Sequence, residues 1–391
     1  MTNTAPKPLI ISGFSSQALA RDIAECLDAE IVGIDRKMFD DGEIRVGIEE
    51  NIRGRPIVVI ASASGDPNRV EKETRLLLKA TKKNGAASIT LLLPYMTYGR
   101  SDANFGSRTT PALIDTIEGY RDFCDNVIVA DPHNQNLTKS TFEAAQNVKS
   151  CDTVHLAYSF ATQLNSLFDQ RIISRKNILF THADAGSRTR ITESFRAALY
   201  RTASINLNPE KKNEWAQADA DRSHTTGEKD IKIDNDFTDK DVVLFEDMIA
   251  SGGTACKIAK KLKERGARSV ILFATSGLFT PSKNATKTSI IDKINNSELD
   301  AVFITDTYDY HKTHPSISRA IEKSPIIHVI KTGPFLASLV NAIHMQVTSD
   351  MDRDENSISA ILRGTHPSQK NGNSLAKPTP LKQGSPLLTL G

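Results

Sequence analysis

Along most of its length the chain repeats one pattern: a short apolar run, then an amphipathic stretch with helical spacing. The runs are Leu9–Ser12, Ile57–Ile60, Ile89–Leu93 and Val127–Ala130 in the first half. Ile178–Phe180, Ala203–Leu207, Val242–Phe245, Val270–Ala274 and Val302–Thr305 follow in the second. Continuous apolar runs of this kind suit strands buried on both faces, as in parallel sheets covered by helices. The spacing predicts helices over Ser16–Leu27, Arg69–Asn84, Ser187–Leu199, Thr254–Arg265 and Phe335–Val347. Gly85 stops the second of these, where a left-handed C-cap costs least. The fold class is therefore α/β with largely parallel sheets. At 391 residues the chain is too long for one ordinary core and suits two domains plus extensions.

The two halves echo each other. Lys82-Lys83-Asn84-Gly85-Ala86-Ala87-Ser88-Ile89 resembles Lys263-Glu264-Arg265-Gly266-Ala267-Arg268-Ser269-Val270. The match fits a duplicated unit, and it fits equally two helices that end by the same chemistry. Asn208–Asp230, polar and containing Pro209, is expected to be a long mobile loop. Gly364–Gly391, rich in Pro, Ser, Gly, Asn and Lys, is expected to be a flexible tail.

Bulk properties exclude several classes. Forty-nine basic against 47 acidic residues leave a net charge of +2, without the basic excess of a nucleic-acid binder. The cysteines Cys26, Cys124, Cys151 and Cys256 are isolated, which gives neither a zinc ribbon nor a thioredoxin motif and suits a reducing interior. There is no signal-peptide core and no apolar run long enough to span a membrane. The expected setting is cytoplasmic.

The most informative segment is Val242-Val243-Leu244-Phe245-Glu246-Asp247-Met248-Ile249-Ala250-Ser251-Gly252-Gly253-Thr254. An apolar strand runs into two acids, a small Gly-rich loop and a helix. Glycines let backbone N–H groups close around a phosphate, and the helix N-terminus favours its charge. Ser251 and Thr254 add hydroxyls. A capped turn with surface acids is the plainer reading, but the order of parts favours a phosphate site.

This segment resembles the phosphoribosyl-binding motif of type I phosphoribosyltransferases and ribose-phosphate diphosphokinases. The resemblance implies two phosphoribosyltransferase-like domains. It implies that Glu246 and Asp247 hold ribose hydroxyls, and that Ala250, Ser251, Gly252, Gly253 and Thr254 hold the 5-phosphate. The diphosphokinases have two aspartates in the pair, and often an acid at the position of Ala250.

Other segments resemble the diphosphokinases specifically. Phe39-Asp40-Asp41-Gly42-Glu43 is similar to their adenine-contacting segment, which reaches across a subunit boundary, and Asn51-Ile52-Arg53-Gly54 follows at the family's spacing. By itself Asp-Gly is an ordinary turn. Pro94-Tyr95-Met96-Thr97-Tyr98-Gly99-Arg100-Ser101-Asp102 is similar to the ATP-binding segment, with Ser101 and Ala103 replacing the family's Gln and Arg. The resemblance thus implies ATP contacts at Phe39, Asp41, Glu43, Arg100, Ser101 and Asp102. Asp131-Pro132-His133 resembles the family's Asp-Leu-His, and Ala183-Asp184-Ala185-Gly186 its Pro-Asp-x-Gly. His133 and Asp184 are thereby implied near Mg²⁺, with His133 also catalytic. The family's loop cations map to Lys211 and Lys212, with Arg222 as a further candidate, although its Lys-Arg-Arg pattern is absent.

The expected division is an ATP-binding domain over 1–155, a phosphoribosyl-binding domain over 156–335, a closing helix over 336–363 and the tail over 364–391, with the active site between the domains. The expected activity is transfer of diphosphate from ATP to the anomeric hydroxyl of ribose 5-phosphate in a homo-oligomer, with no nucleic-acid or membrane partner. Alternatives are the same chemistry on a larger acceptor such as ADP-ribose, a non-catalytic regulatory paralogue, and a phosphoribosyltransferase.

Overall fold

The computed structural model describes residues 6–103, 108–182, 195, 198–199, 218–222, 229–233, 236–280, 287–311, 314–348 and 378–389. They divide into two compact units. The first comprises the described residues within 1–155, 307–313 and 332–375, the second those within 156–306, 314–331 and 376–391.

The first unit is built on a parallel sheet of five strands in the order β1 (Leu9–Ser12), β4 (Pro56–Ile60), β5 (Ser88–Leu93), β6 (Asn126–Ala130) and β7 (Ser150–Val154). A hairpin, β2 (Ile34–Met38) and β3 (Ile44–Ile48), is inserted after helix α1 (Gln17–Leu27). Alternation along each strand sorts side chains to two faces. Leu9, Ile11, Ile57, Val59, Leu91, Leu93, Val127 and Val129 enter one core. That core includes Leu77 and Leu78 of α2 (Pro67–Lys83), Leu113, Ile117 and Tyr120 of α3 (Ala112–Arg121), and Phe142 of α4 (Gln135–Glu143). The α2 ends follow capping chemistry. Asp66 accepts a hydrogen bond from the Asn68 N–H, Pro67 stands at the first helical position, and Lys82 and Lys83 face the negative end of the dipole.

The second unit repeats the plan. Its parallel sheet runs β8 (Ile178–His182), β11 (Asp241–Ile249), β12 (Ser269–Gly277), β13 (Ala301–Thr305) and β14 (Ile327–Ile330). One face is an aromatic ladder. Phe273 stacks on Phe303 at 4.9 Å and Phe303 on His328 at 5.0 Å, with Phe245 and Phe180 continuing toward the other edge. Helix α5 (Ala157–Asp169) covers this face through Phe160, Leu164 and Leu167. The remaining helices of this unit are α6 (Gly253–Glu264), α7 (Lys287–Asn295) and α8 (Pro315–Lys323), whereas α9 (Gly333–Thr348) belongs to the first unit and packs on α1. Among the described residues no helix is long and apolar enough to cross a membrane.

Two expectations are corrected. Within Asn208–Asp230 the structure has strand β9 (Ala218–Arg222), which pairs antiparallel with β10 (Lys229–Ile233). The polar composition of the segment hid the alternation of Lys229-Asp230-Ile231-Lys232-Ile233. This hairpin stands between β8 and β11 as β2–β3 stands between β1 and β4. The second correction concerns the tail, where residues 378–389 are ordered on the second unit. Gln163 donates to the Thr379 carbonyl at 3.0 Å and accepts from its N–H at 2.6 Å, and the Thr379 hydroxyl donates to the Val329 carbonyl of edge strand β14. Leu387 is fully buried in the core. An edge strand needs cover, and one leucine anchors a segment that composition alone marks as coil. The expected strand Ala203–Leu207 lies outside the described residues. Of the expected helix Ser187–Leu199, Phe195, Ala198 and Leu199 are helical and buried.

Candidate active site

Strand β11 is longer than its apolar run. Pairing with β12 continues through Glu246, opposite Ala274, to Ile249, opposite Gly277, so both acids lie within the strand and are half-buried. The chain then turns through Ala250 and Ser251. The Thr280 N–H donates to the Ala250 carbonyl, and Leu278 and Phe279 donate to that of Ile249. Gly252 adopts φ +66°, the left-handed conformation that glycine takes without a Cβ penalty, and caps α6. A Cβ there would meet Ile294 Cγ1 at 3.2 Å. Among the described residues no side chain caps α6, which suits the N–H groups of its first turn to an anion. Gly253 has ordinary room. A Cβ there would lie 3.5 Å from both Lys293 Nζ and Ser251 Oγ. The glycine this loop requires is therefore Gly252, while Gly253 leaves open a space that donors border.

In the first unit, three other segments occupy the C-terminal ends of adjacent parallel strands or the hairpin tip. After β5, the Ser101 N–H donates to the Tyr98 carbonyl, with Tyr98 at φ +55°. The Ser101 hydroxyl accepts from the Ala112 N–H at 3.3 Å at the start of α3. Its side chain is thus engaged in shaping the turn, while Arg100 is exposed. Asp102 accepts from Asn134 at 3.1 Å, and Asn134 caps α4 through the Leu137 N–H. This bond ties the Arg100 segment to the neighbour of His133. After β6, Asp131 takes φ +40° and its Oδ1 lies 2.6 Å from His155 Nδ1, with both side chains nearly buried. Sequence reasoning missed His155, because the pair joins the ends of two strands distant in sequence. The Phe39–Glu43 turn joins β2 to β3. Phe39 exchanges main-chain bonds with Glu43 and Gly42, Gly42 has φ +89°, and Lys37 lies over the Phe39 ring. Phe39 is exposed at this tip.

Asp184, Lys211 and Lys212 lie outside the described residues. Arg222 falls on β9. The chain leaves β8 at His182, paired with Phe245 one residue before Glu246.

The two sheets and the strand–acid–acid–loop–helix site define a two-unit parallel α/β protein with an anion loop at the carboxyl edge of its second sheet. Residues 9–114 match the N-terminal domain of ribose phosphate pyrophosphokinase. The chain is 30% identical over 307 residues to a ribose-phosphate pyrophosphokinase of Vibrio parahaemolyticus, covering 78% of this chain and 88% of that one. It is 27% identical over 358 residues to the enzyme of that name from Buchnera aphidicola, covering 91% and 99%. In fold it is similar to the crystal structure of phosphoribosylpyrophosphate synthetase from Mycobacterium smegmatis, with TM-score 0.70 and 21% identity over 87% of this chain and all of the other. This chain belongs to the ribose-phosphate pyrophosphokinase family.

Proposed function

We propose that the protein transfers diphosphate from ATP to the anomeric hydroxyl of ribose 5-phosphate. The anomeric oxygen attacks the β-phosphorus and its bond to the α–β bridging oxygen breaks. AMP leaves with that oxygen, the hydroxyl proton passes to solvent, and phosphoribosyl pyrophosphate is formed. The observation that carries this reading is the uncapped N-terminus of α6 behind the left-handed Gly252, directly after the carboxylates of Glu246 and Asp247. Uncapped N–H groups and the Ser251 and Thr254 hydroxyls suit the 5-phosphate, and the two acids suit the ribose hydroxyls. Family membership supports the donor. Arg100 suits a nucleotide phosphate through its fork of donors, Asp102 braces that segment, and Phe39, Asp41 and Glu43 stand at an exposed tip suited to adenine. Ser101 contributes through the turn it holds.

Mg²⁺ is the expected cofactor. Among the described residues no three His, Cys, Asp or Glu side chains converge, which fits an ion held largely by substrate phosphates and water with one or two protein contacts. His133 would be one such contact, and Asp184 is the proposed second. When bound, the ion neutralises phosphate charge in the transferring group. Lys211 and Lys212 are the proposed loop cations. The exposed Met38 and Phe39 support a homo-oligomer, and a cytoplasmic setting supplies ATP. The test is AMP formation across a panel of 5-phosphorylated ribosides, ADP-ribose included. Ribose 5-phosphate is expected to be the preferred acceptor, and a clear preference for another riboside would reject the assignment.

A further inference from the structure

Two donors from different elements converge on the space beside Gly253. A carbon built there would lie 3.5 Å from Ser251 Oγ, in the loop, and 3.5 Å from Lys293 Nζ, on α7. Packing sets the position of Lys293. Its neighbour Ile294 is 1% exposed and lies against Gly252, so the residue before it is carried to the mouth of the loop. Lys260 and Lys263 pair with Glu264 and Asp300, whereas among the described residues no carboxylate pairs with Lys293. Its charge also acts on Cys256 in the first turn of α6, as does that of Glu246.

The charge balance gives this placement a purpose. A sugar phosphate brings roughly −1.5 to −2 charges, and the loop itself offers only neutral donors: main-chain N–H groups, Ser251 and Thr254. Glu246 and Asp247 just upstream add negative charge. A phosphate held here gains from one nearby cation, and a lysine ammonium is a compact point charge with three donors.

The geometry points to Lys293 as a binding residue for the acceptor's 5-phosphate, and as the group that selects phosphorylated ribose over ribose. This rests on reading the Ala250–Thr254 loop as the acceptor's phosphate site. The test compares wild type with Lys293→Ala, Lys293→Arg and Lys260→Ala, the last making the same charge change away from the loop. Steady-state kinetics are run with calorimetric titration of ribose 5-phosphate. Lys293→Ala should raise the acceptor KM and Kd about tenfold or more, the loss of one charge-assisted hydrogen bond. The KM for ATP should move less than about twofold, because ATP is not bound by this loop. Lys293→Arg should recover most of the acceptor affinity, and Lys260→Ala should leave both constants in place. An unchanged acceptor Kd in Lys293→Ala, or an equal rise in Lys260→Ala, overturns the proposal. Wild type that binds ribose 5-phosphate without forming AMP rejects the reaction, and calorimetry still decides Lys293. Wild type that does not bind it rejects both.

Discussion

Asp125 and Asp300 hold the same post in the two sheets. Each carboxylate accepts the main-chain N–H near the start of the third strand of its sheet, Ile89 in one and Val270 in the other, both at 2.7 Å. The correspondence continues around them. Gly85 and Gly266, at φ +77° and +88°, accept through their carbonyls from Gly54 and Asp239, both also left-handed. Ala87 and Arg268 donate to Arg55 and Lys240. The short sequence echo therefore marks equivalent helix-to-strand junctions in two copies of one plan. Removing either carboxylate leaves an N–H without its partner. Asp125→Ala and Asp300→Ala should each destabilise the protein by about 1–3 kcal/mol, measured by denaturant unfolding. Asp300 also pairs with Lys263 at 2.8 Å, so its loss should be the larger. A shift of the midpoint indistinguishable from zero in both would reject this role.

Gly252 and Gly253 should respond differently. Gly252→Ala forces a side chain into φ +66° and against Ile294, at a cost of about 1–2 kcal/mol from the backbone alone. Gly253→Ala meets only ordinary contacts, so thermal stability should hold while its methyl occupies the space beside Ser251 and Lys293 and weakens acceptor binding. Equal stability losses in the two variants would contradict the geometry.

The Asp131–His155 pair should matter to turnover through His133, two residues along the chain. Asp131 is held at a φ that non-glycine residues rarely take, and His155 is its side-chain partner at 2.6 Å. His155→Ala should lower kcat by about ten- to hundredfold with the far-UV circular dichroism unchanged, and His155→Asn should restore part of it. Full kcat in the alanine variant would remove the pair from the account.

His328 should make stability fall in mild acid. It is fully buried as the last rung of the aromatic ladder, and among the described residues neither ring nitrogen has a hydrogen-bond partner. Burial, with Lys382 nearby, pushes its pKa down to about 4. The unfolded chain then binds the extra proton between about pH 6.5 and 4, so the contribution of the neutral ring is complete above that window and lost progressively on descending through it. The loss amounts to about 3 kcal/mol at the acid end. His328→Phe, which continues the stack, should flatten the stability profile over that window. A profile as steep as wild type would show that other groups set it.

How far the sequence reveals this molecule depends on burial. Strands β1, β4, β5, β6, β8, β11, β12 and β13 read as apolar runs because their side chains are buried on both faces. Strands β7 and β14 did not, since β7 reads Ser-Cys-Asp-Thr-Val and β14 is a four-residue run interrupted by His328. Helices α3, α4 and α5 also escaped, because their apolar positions are interrupted by Asp, Thr and Gly in α3 and by Thr, Ser, Asn and Gln in α4 and α5. The phosphate loop was legible because strand, acids, glycines and helix follow one another directly. Lys293 and His155 were not, because only packing between distant elements brings them to Gly253 and Asp131.

The most direct test of the central claim is product analysis of the purified protein with ATP, Mg²⁺ and ribose 5-phosphate. The account predicts AMP and phosphoribosyl pyrophosphate in equal amounts, both abolished when Asp247 is replaced by Asn together with Glu246→Gln. Release of ADP, AMP without the diphosphorylated sugar, or full activity in the double variant would contradict it.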